Sequence, residues 1–304
     1  MGARVPRRMG KWLVSGPPLL YLLIFFAVPT LIMVLASFRT PGEFGGLAPL
    51  VDEAGHVDLN LDSYARFLTE PVYADVFLKS VWYALLTTLL CLLLAYPLAT
   101  LIAKSSKRHR NLLLLLVILP FWSNFLIRVY AWMIILGPQA LLARAVNGAL
   151  AAMGHEPVSL LFSSFAVLVC LVYVHLPFMV LPLYANLEKH DQALLDAAQD
   201  LGANAWQRFW RITFPLSLPG VYAGAALVFI PALGIFAIPD ILGGPDDSLI
   251  GNVIKQQFLE TRDWPFGSVL SIVLTVAALT LAGLAAWVGR RNLGTPSSSG
   301  EADA

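Results

Sequence analysis

Six stretches of this chain, at about 14–37, 76–103, 111–136, 158–186, 217–242 and 267–289, are apolar runs long enough to cross a bilayer. A helix needs about 20 such residues to span the hydrocarbon core. No water reaches the backbone there, so each N–H and C=O must bond within the segment, which a helix achieves. The pattern therefore limits the chain to an all-α, polytopic membrane protein of about six transmembrane helices. Charge content agrees, since 13% of the 304 residues are charged, against about 25% in a soluble domain. The first run follows Arg4, Arg7, Arg8 and Lys11. Its apolar part is longer than that of a signal peptide and no small-x-small cleavage site follows, so it reads as a retained span.

Basic residues in short connections stay cytoplasmic and so set the orientation. Lys104, Lys107, Arg108 and Arg110 crowd the link between spans two and three; Lys189, Arg208 and Arg211 lie between spans four and five; Arg290 and Arg291 follow span six. The 38–75 connection is instead acid-rich, with Glu43, Asp52, Glu53, Asp58, Asp62, Glu70 and Asp75 against Arg39 and Arg66. Both termini and the 188–215 connection are therefore expected on the cytoplasmic side. This gives a cytoplasmic segment over 1–13, a membrane domain over 14–293, and a small, polar, disordered tail over 294–304. The 38–75 connection is longer than a link requires. A short external helix is predicted near Leu61–Leu68, facing an external partner.

The 188–215 connection carries the most specific pattern. Leu194, Ala197, Ala198 and Leu201 recur at helical spacing, with Asp196, Gln199 and Asp200 opposite. Gly202 can take positive φ and close that helix. Asn204 can cap a second short helix carrying Trp206, Phe209 and Trp210 on one stripe. Pro215 and Pro219 are expected to end it. Two short helices meeting at a bend beside the membrane form a docking shape, or alternatively lie amphipathically on lipid headgroups. Nothing in the chain resembles a nucleotide-binding Gly-rich loop ending in Gly-Lys-Ser/Thr. Cys91 and Cys170 sit inside apolar runs as packing residues, and no Cys/His cluster has the spacing of a metal site.

Asp196-Ala197-Ala198, Gly202-Ala203 and Ile212-Thr213-Phe214-Pro215 resemble the EAA loop of permease subunits of ABC-type importers, with Asp196 for the usual Glu and Phe214 for the usual Leu. Pro120-Phe121-Trp122-Ser123-Asn124-Phe125-Leu126-Ile127-Arg128, Phe236-Ala237-Ile238-Pro239-Asp240-Ile241-Leu242-Gly243-Gly244 and Arg262-Asp263-Trp264-Pro265-Phe266-Gly267 are similar to the spermidine/putrescine permease group, nearest its first permease subunit. The resemblance implies the type I ABC importer permease fold. It implies a non-catalytic pore subunit in the bacterial inner membrane whose coupling loop, through Asp196, Ala197, Ala198, Gly202, Ala203, Ile212 and Pro215, engages a cytosolic ATPase. That ATPase would bind the ATP and Mg; this chain would bind no cofactor. A second, similar permease, two ATPase copies and an external substrate-binding protein are implied as partners, and no nucleic acid.

Polyamines carry several ammonium groups and are held by carboxylates and aromatic faces. Asp240 is the carboxylate at the rim of an apolar run, between Pro239 and Gly243-Gly244, where the helix is expected to break. Trp122, Asn124, Tyr130, Phe236 and Asn252 are the further candidates for the path. Alternatives stay open: Asp240 as a cap or an ion-pair partner of Arg128, Tyr130 and Trp132 as interface anchors, and His175 as a packing residue. At the level of function, the rivals are an ABC permease for another small organic solute or ferric iron, and an ion-coupled secondary transporter. The latter calls for inverted repeats with matched broken helices, which the chain does not clearly show.

Overall fold

A computed structural model describes residues 7–51 and 59–292. The tail from 294, the first six residues, and Asp52, Glu53 and Asp58 of the acid-rich connection lie outside the described residues. In chain order the helices are α1 (Arg7–Leu22), α2 (Val28–Ala36), α3 (Asp62–Thr69), α4 (Pro71–Lys104), α5 (Lys107–Ile118), α6 (Phe125–Leu136), α7 (Leu141–Ala152), α8 (Ser164–Leu187), α9 (Gln192–Asp200), α10 (Ala205–Arg208), α11 (Phe214–Gly234), α12 (Ala237–Leu242), α13 (Ile250–Leu259) and α14 (Trp264–Asn292). Wide π turns over Leu23–Ala27 and Phe209–Thr213 join α1 to α2 and α10 to α11. Among the described residues six helical segments are long and apolar enough to cross a membrane: Ser15–Ala36, Pro71–Lys104, Phe125–Ala152, Ser164–Leu187, Ala205–Gly234 and Trp264–Leu284.

The structure divides two of the expected runs. The third is interrupted over 119–124, where a 3₁₀ turn spans Leu119–Trp122. Pro120 has no N–H to continue the ladder, and the next residues offer other bonds. Ser123 Oγ donates to the Pro120 carbonyl at 2.8 Å, and Asn124 Oδ1 accepts from Leu126 N at 2.8 Å, capping α6. The fifth run stops at Gly234 and resumes at Ala237. A proline ring clashes with the carbonyl four residues earlier, and for Pro239 that residue is Ile235, which is extended at ψ 139°.

The described residues form two compact units, one from 7–51 and 59–74 with 253–275 and one from 75–252 with 276–292. In the first, α3 occupies the place of the expected external helix. Its Arg66 bonds Asp263 at 3.1 Å, Glu70 at 3.2 Å and Tyr73 Oη at 2.9 Å, with its guanidinium 4.3 Å from the Phe266 ring centre. In the second unit α8 is central. Its Val167, Cys170, Leu171 and Val174 pack with Tyr83, Val129, Ile238 and Leu242. Met179 and Val180 pack with Cys91, Ala95 and Val228 further along. Gly220 and Gly224 let α11 approach α8 closely, as small residues four apart do between membrane helices. A Cβ on Gly220 would stand 2.8 Å from Asn186 Cβ, and one on Gly224 2.6 Å from Met179 Sδ.

Candidate functional site

The 188–215 elbow is assembled by local chemistry. Asp191 Oδ1 accepts from Ala193 N at 2.9 Å and starts α9. At the other end Gly202 takes φ +82°, while Gly202 N and Ala203 N bond the Gln199 and Ala198 carbonyls, both at 2.9 Å. That pair is a Schellman closure, which satisfies carbonyls a helix end leaves open. Asn204 then forms a reciprocal capping box with Gln207, at 2.8 and 3.0 Å. Arg208 donates to Gln199 Oε1 at 2.6 Å and ties the two arms of the bend. Trp206, Phe209, Trp210 and Phe214 form a chain of ring contacts, and Tyr96 of α4 joins it 5.3 Å from Phe209.

One expectation is corrected here. Pro215 and Pro219 do not end the second short helix; α10 continues through the π turn into α11. In the wide turn Phe214 N bonds the Phe209 carbonyl, and this looser winding admits Pro215 without ending the helix. The elbow is therefore one piece with the fifth span. Asp196, Ala197, Gly202 and Pro215 are exposed, and Ala198, Ala203 and Ile212 half-buried. Leu201 is 89% and Trp206 68% exposed, large apolar groups presented outward. Beside them a cleft of about 710 Å³ opens between the end of α4 and the elbow, lined in part by Tyr96, Lys104, Asp196, Arg208 and Phe209.

Of the path candidates, the structure brings Phe236, Asp240 and Asn252 together. Asn252 Nδ2 donates to the Phe236 carbonyl at 2.9 Å and to Asp240 Oδ1, and its Oδ1 accepts from Leu249 N at 3.0 Å. One amide thus closes the break before α12 and caps α13. Trp122, Asn124 and Tyr130 lie at and after the other break; Trp122 is 75% exposed, and the Asn124 side chain is engaged as the α6 cap. Trp132 packs edge-on against Tyr173 at 5.6 Å. His175 is buried, with Nδ1 at 2.8 Å from the Leu171 carbonyl, in keeping with a packing role. Arg128 lies over the rings of Phe121 and Phe125, at 5.2 and 5.9 Å.

Sequence reasoning missed Asp247. It is buried in the connection after α12, where it accepts from Ser164 Oγ at 2.5 Å, Gly244 N at 2.8 Å and Tyr83 Oη at 3.2 Å. Burial works against its charge, but these hydrogen bonds and the nearby Lys79 outweigh it and hold the carboxyl below the ordinary aspartate value. Lys79 in turn donates to the Asp246 carbonyl, and Ser80 Oγ accepts from Ile250 N at 2.7 Å. The 243–250 segment is thereby fastened to α4 and α8.

Residues 95–292 match the family described as the inner-membrane component of binding-protein-dependent transport systems. The chain belongs to this family. Among its relatives, the spermidine/putrescine transport system permease protein PotB of Salmonella typhimurium is 45% identical over 84% of this chain and 85% of its own length. PotB of Haemophilus influenzae is 43% identical over 84% of this chain and 86% of its own. A chain of a bacterial alginate ABC transporter, solved in complex with its alginate pentasaccharide-bound periplasmic protein, superposes with a TM-score of 0.72 at 19% identity, over 92% of this chain and 94% of that one. That likeness establishes the shared permease fold. The protein is accordingly a multi-pass permease of the bacterial inner membrane, and its elbow lies inside the matched region.

Proposed function

We propose that this permease is a pore-forming subunit of an ATP-driven importer that passes spermidine or putrescine from an external binding protein to the cytoplasm. The relatives named for that transport system, at 43–45% identity over most of both chains, carry the substrate assignment. The structural observation that best supports the coupling role is the elbow: a bend fixed by a Schellman closure and a capping box, offering exposed Leu201 and Trp206 and continuous with the fifth span. With the termini and elbow cytoplasmic, as the basic residues favour, that surface meets a cytosolic ATPase. Asp196, Ala197, Ala198, Gly202, Ala203, Ile212 and Pro215 make up the coupling surface. The ATPase pair binds and hydrolyses ATP with Mg, and its closure displaces the elbows of this chain and of a second, similar permease, moving the bundle between inward- and outward-open states.

The path follows from what lipid cannot do. Non-helical backbone at membrane depth is tolerated only where protein buries it or water lines it. The interruptions at 119–124 and 235–236 therefore face the interior of the assembled transporter, and bring Trp122, Asn124, Tyr130, Phe236, Asp240 and Asn252 to the path. Asp240 supplies a negative charge and the aromatic rings supply cation–π faces. Affinity resides mainly in the binding protein, while the pore makes transient contacts. Uptake of labelled spermidine into cells expressing the complete transporter tests the reading. Competition by unlabelled putrescine and spermidine is expected. Competition instead by a betaine, an opine or ferric iron, with no effect of polyamines, overturns the substrate assignment.

A further inference from the structure

We infer that the cleft between the end of α4 and the elbow holds an anionic glycerophospholipid, with its phosphate between Lys104 and Arg208 and an acyl chain along Pro97 and Leu101. The inference goes beyond the transport reading and needs no particular solute. By length and composition, Pro71–Lys104 and Ala205–Gly234 are membrane-crossing segments. Lys104 is therefore the last residue of one span, and Arg208 stands in the first turn of another. Two cations from two span ends thus meet at headgroup level, and both line the one cavity of about 710 Å³. Basic pockets between membrane helices bind anionic lipid headgroups.

Neither cation is used up within the chain. Arg110 answers the carbonyls left open at the end of α4, donating to Ala103 and Ser105 at 3.2 and 3.4 Å, and it pairs with Glu188. Lys104 forms no ion pair among the described residues. Arg208 spends one N–H on Gln199, and a guanidinium has five. Asp196 is the carboxylate in the lining, and among the described residues it pairs with neither cation. Two cations against one carboxylate leave the lining positive. A phosphodiester fits that balance, and a glycerol headgroup brings hydroxyls that can donate to Asp196. The depth of the cleft points the same way. Its α4 wall runs from Tyr96 to Lys104, about 12 Å of helix at 1.5 Å per residue, and Pro97 and Leu101 on that wall are exposed. A cytosolic protein segment inserted there would carry unpaired backbone groups to hydrocarbon depth, whereas an acyl chain carries none. The ATPase keeps another surface to meet, a hollow of about 400 Å³ lined in part by Leu201, Gly202, Arg211 and Ile212.

The test uses the complete transporter, extracted in mild detergent and read by native mass spectrometry. The parental complex is expected to retain phosphatidylglycerol in preference to phosphatidylethanolamine. One basic residue near the surface is worth a factor of about five in anionic-lipid affinity, so Lys104→Gln should lower the retained phosphatidylglycerol about fivefold and Lys104→Glu about thirtyfold, with Lys104→Arg at the parental level. Independently, Thr100→Cys carrying a short photo-crosslinker beside an intact Lys104 is expected to capture phosphatidylglycerol, a measurement that survives poor folding of the charge variants. Equal retention of the two lipids, or undiminished phosphatidylglycerol in Lys104→Glu, overturns the proposal. So does capture of the ATPase or the second permease from position 100 in place of lipid, which assigns the cleft to a protein. Displacement of the lipid by inorganic phosphate also overturns it and makes the cleft a site for free anions. Uptake enters none of these measurements, so failure of the polyamine assignment leaves the lipid site standing, and the reverse holds as well.

Discussion

Truncating Asp247 to alanine removes the acceptor shared by Ser164 Oγ, Tyr83 Oη and Gly244 N. The two hydroxyls can turn toward other acceptors, but the Gly244 N–H is fixed by its backbone. Each buried donor left unpaired costs about 1–3 kcal/mol, and the Gly244 N–H is the one so left, so Asp247→Ala is expected to destabilise the folded chain by about 1–3 kcal/mol. Asp247→Asn keeps one carbonyl oxygen but sets an NH₂ where the second carboxylate oxygen accepted, so its cost is about 1–2 kcal/mol. Cys91 and Cys170 are buried free thiols and give a direct readout, since a thiol-reactive fluorogenic dye labels them only as the bundle opens. In detergent-purified transporter the unfolding midpoint is expected to fall in the order parent, Asn, Ala, with the Ala variant lower by roughly 5 °C, taking about 2–4 °C per kcal/mol for chains somewhat smaller than this one. The pH dependence adds a second check. A carboxyl whose folded value is depressed contributes stability above its unfolded value, and loses it as pH falls through the folded one. The gap between parent and Asp247→Asn should therefore be full at neutral pH and shrink below about pH 4. An Ala variant as stable as the parent, or a gap that widens on acidification, refutes the assignment of Asp247 as the fastener of 243–250.

Two further outcomes bear on the proposed function. Gly202 stands at φ +82° with open space where a Cβ would go, so Gly202→Val suffers backbone strain rather than a clash, about 1–2 kcal/mol. ATP hydrolysis by the complex should persist while uptake drops, and Gly202→Asn, which tolerates that conformation, should transport; normal uptake by the valine variant removes the coupling role. Asp240→Asn preserves an acceptor for Asn252 while deleting the charge, so uptake should fall with assembly and ATP hydrolysis intact, and unchanged transport kinetics would make Asp240 a structural staple.

The spans and the elbow were legible in the sequence because their causes are local. Long apolar composition alone forces helix formation in a bilayer, and Gly202 and Asn204 each act on backbone groups within four residues of themselves. The interruptions were less legible because proline does not decide them alone. Pro97 lies inside α4, and Pro177 and Pro182 inside α8, without ending either helix. Pro120 ends one because Ser123 and Asn124 offer the chain other hydrogen bonds, and Pro239 because Asn252, thirteen residues on, receives the break. Of the acidic residues near the fifth run, Asp240 drew attention by its place beside an apolar stretch. Asp246 and Asp247 sit in a Gly-Gly-Pro turn and look alike in sequence. Only tertiary contact with Tyr83 and Ser164 turns Asp247 inward.

Both interruptions are closed by an asparagine, and this bears on how a charged solute passes. An amide supplies donor and acceptor without net charge, so Asn124 and Asn252 satisfy exposed backbone while adding no field of their own. Asp240 and Arg128 are charged side chains one turn beyond the two breaks. At an effective dielectric constant of 20, a guanidinium about 6 Å from an ammonium repels it by about 3 kcal/mol, and a polyamine meets that repulsion once per ammonium. A carboxylate at the same distance attracts by as much.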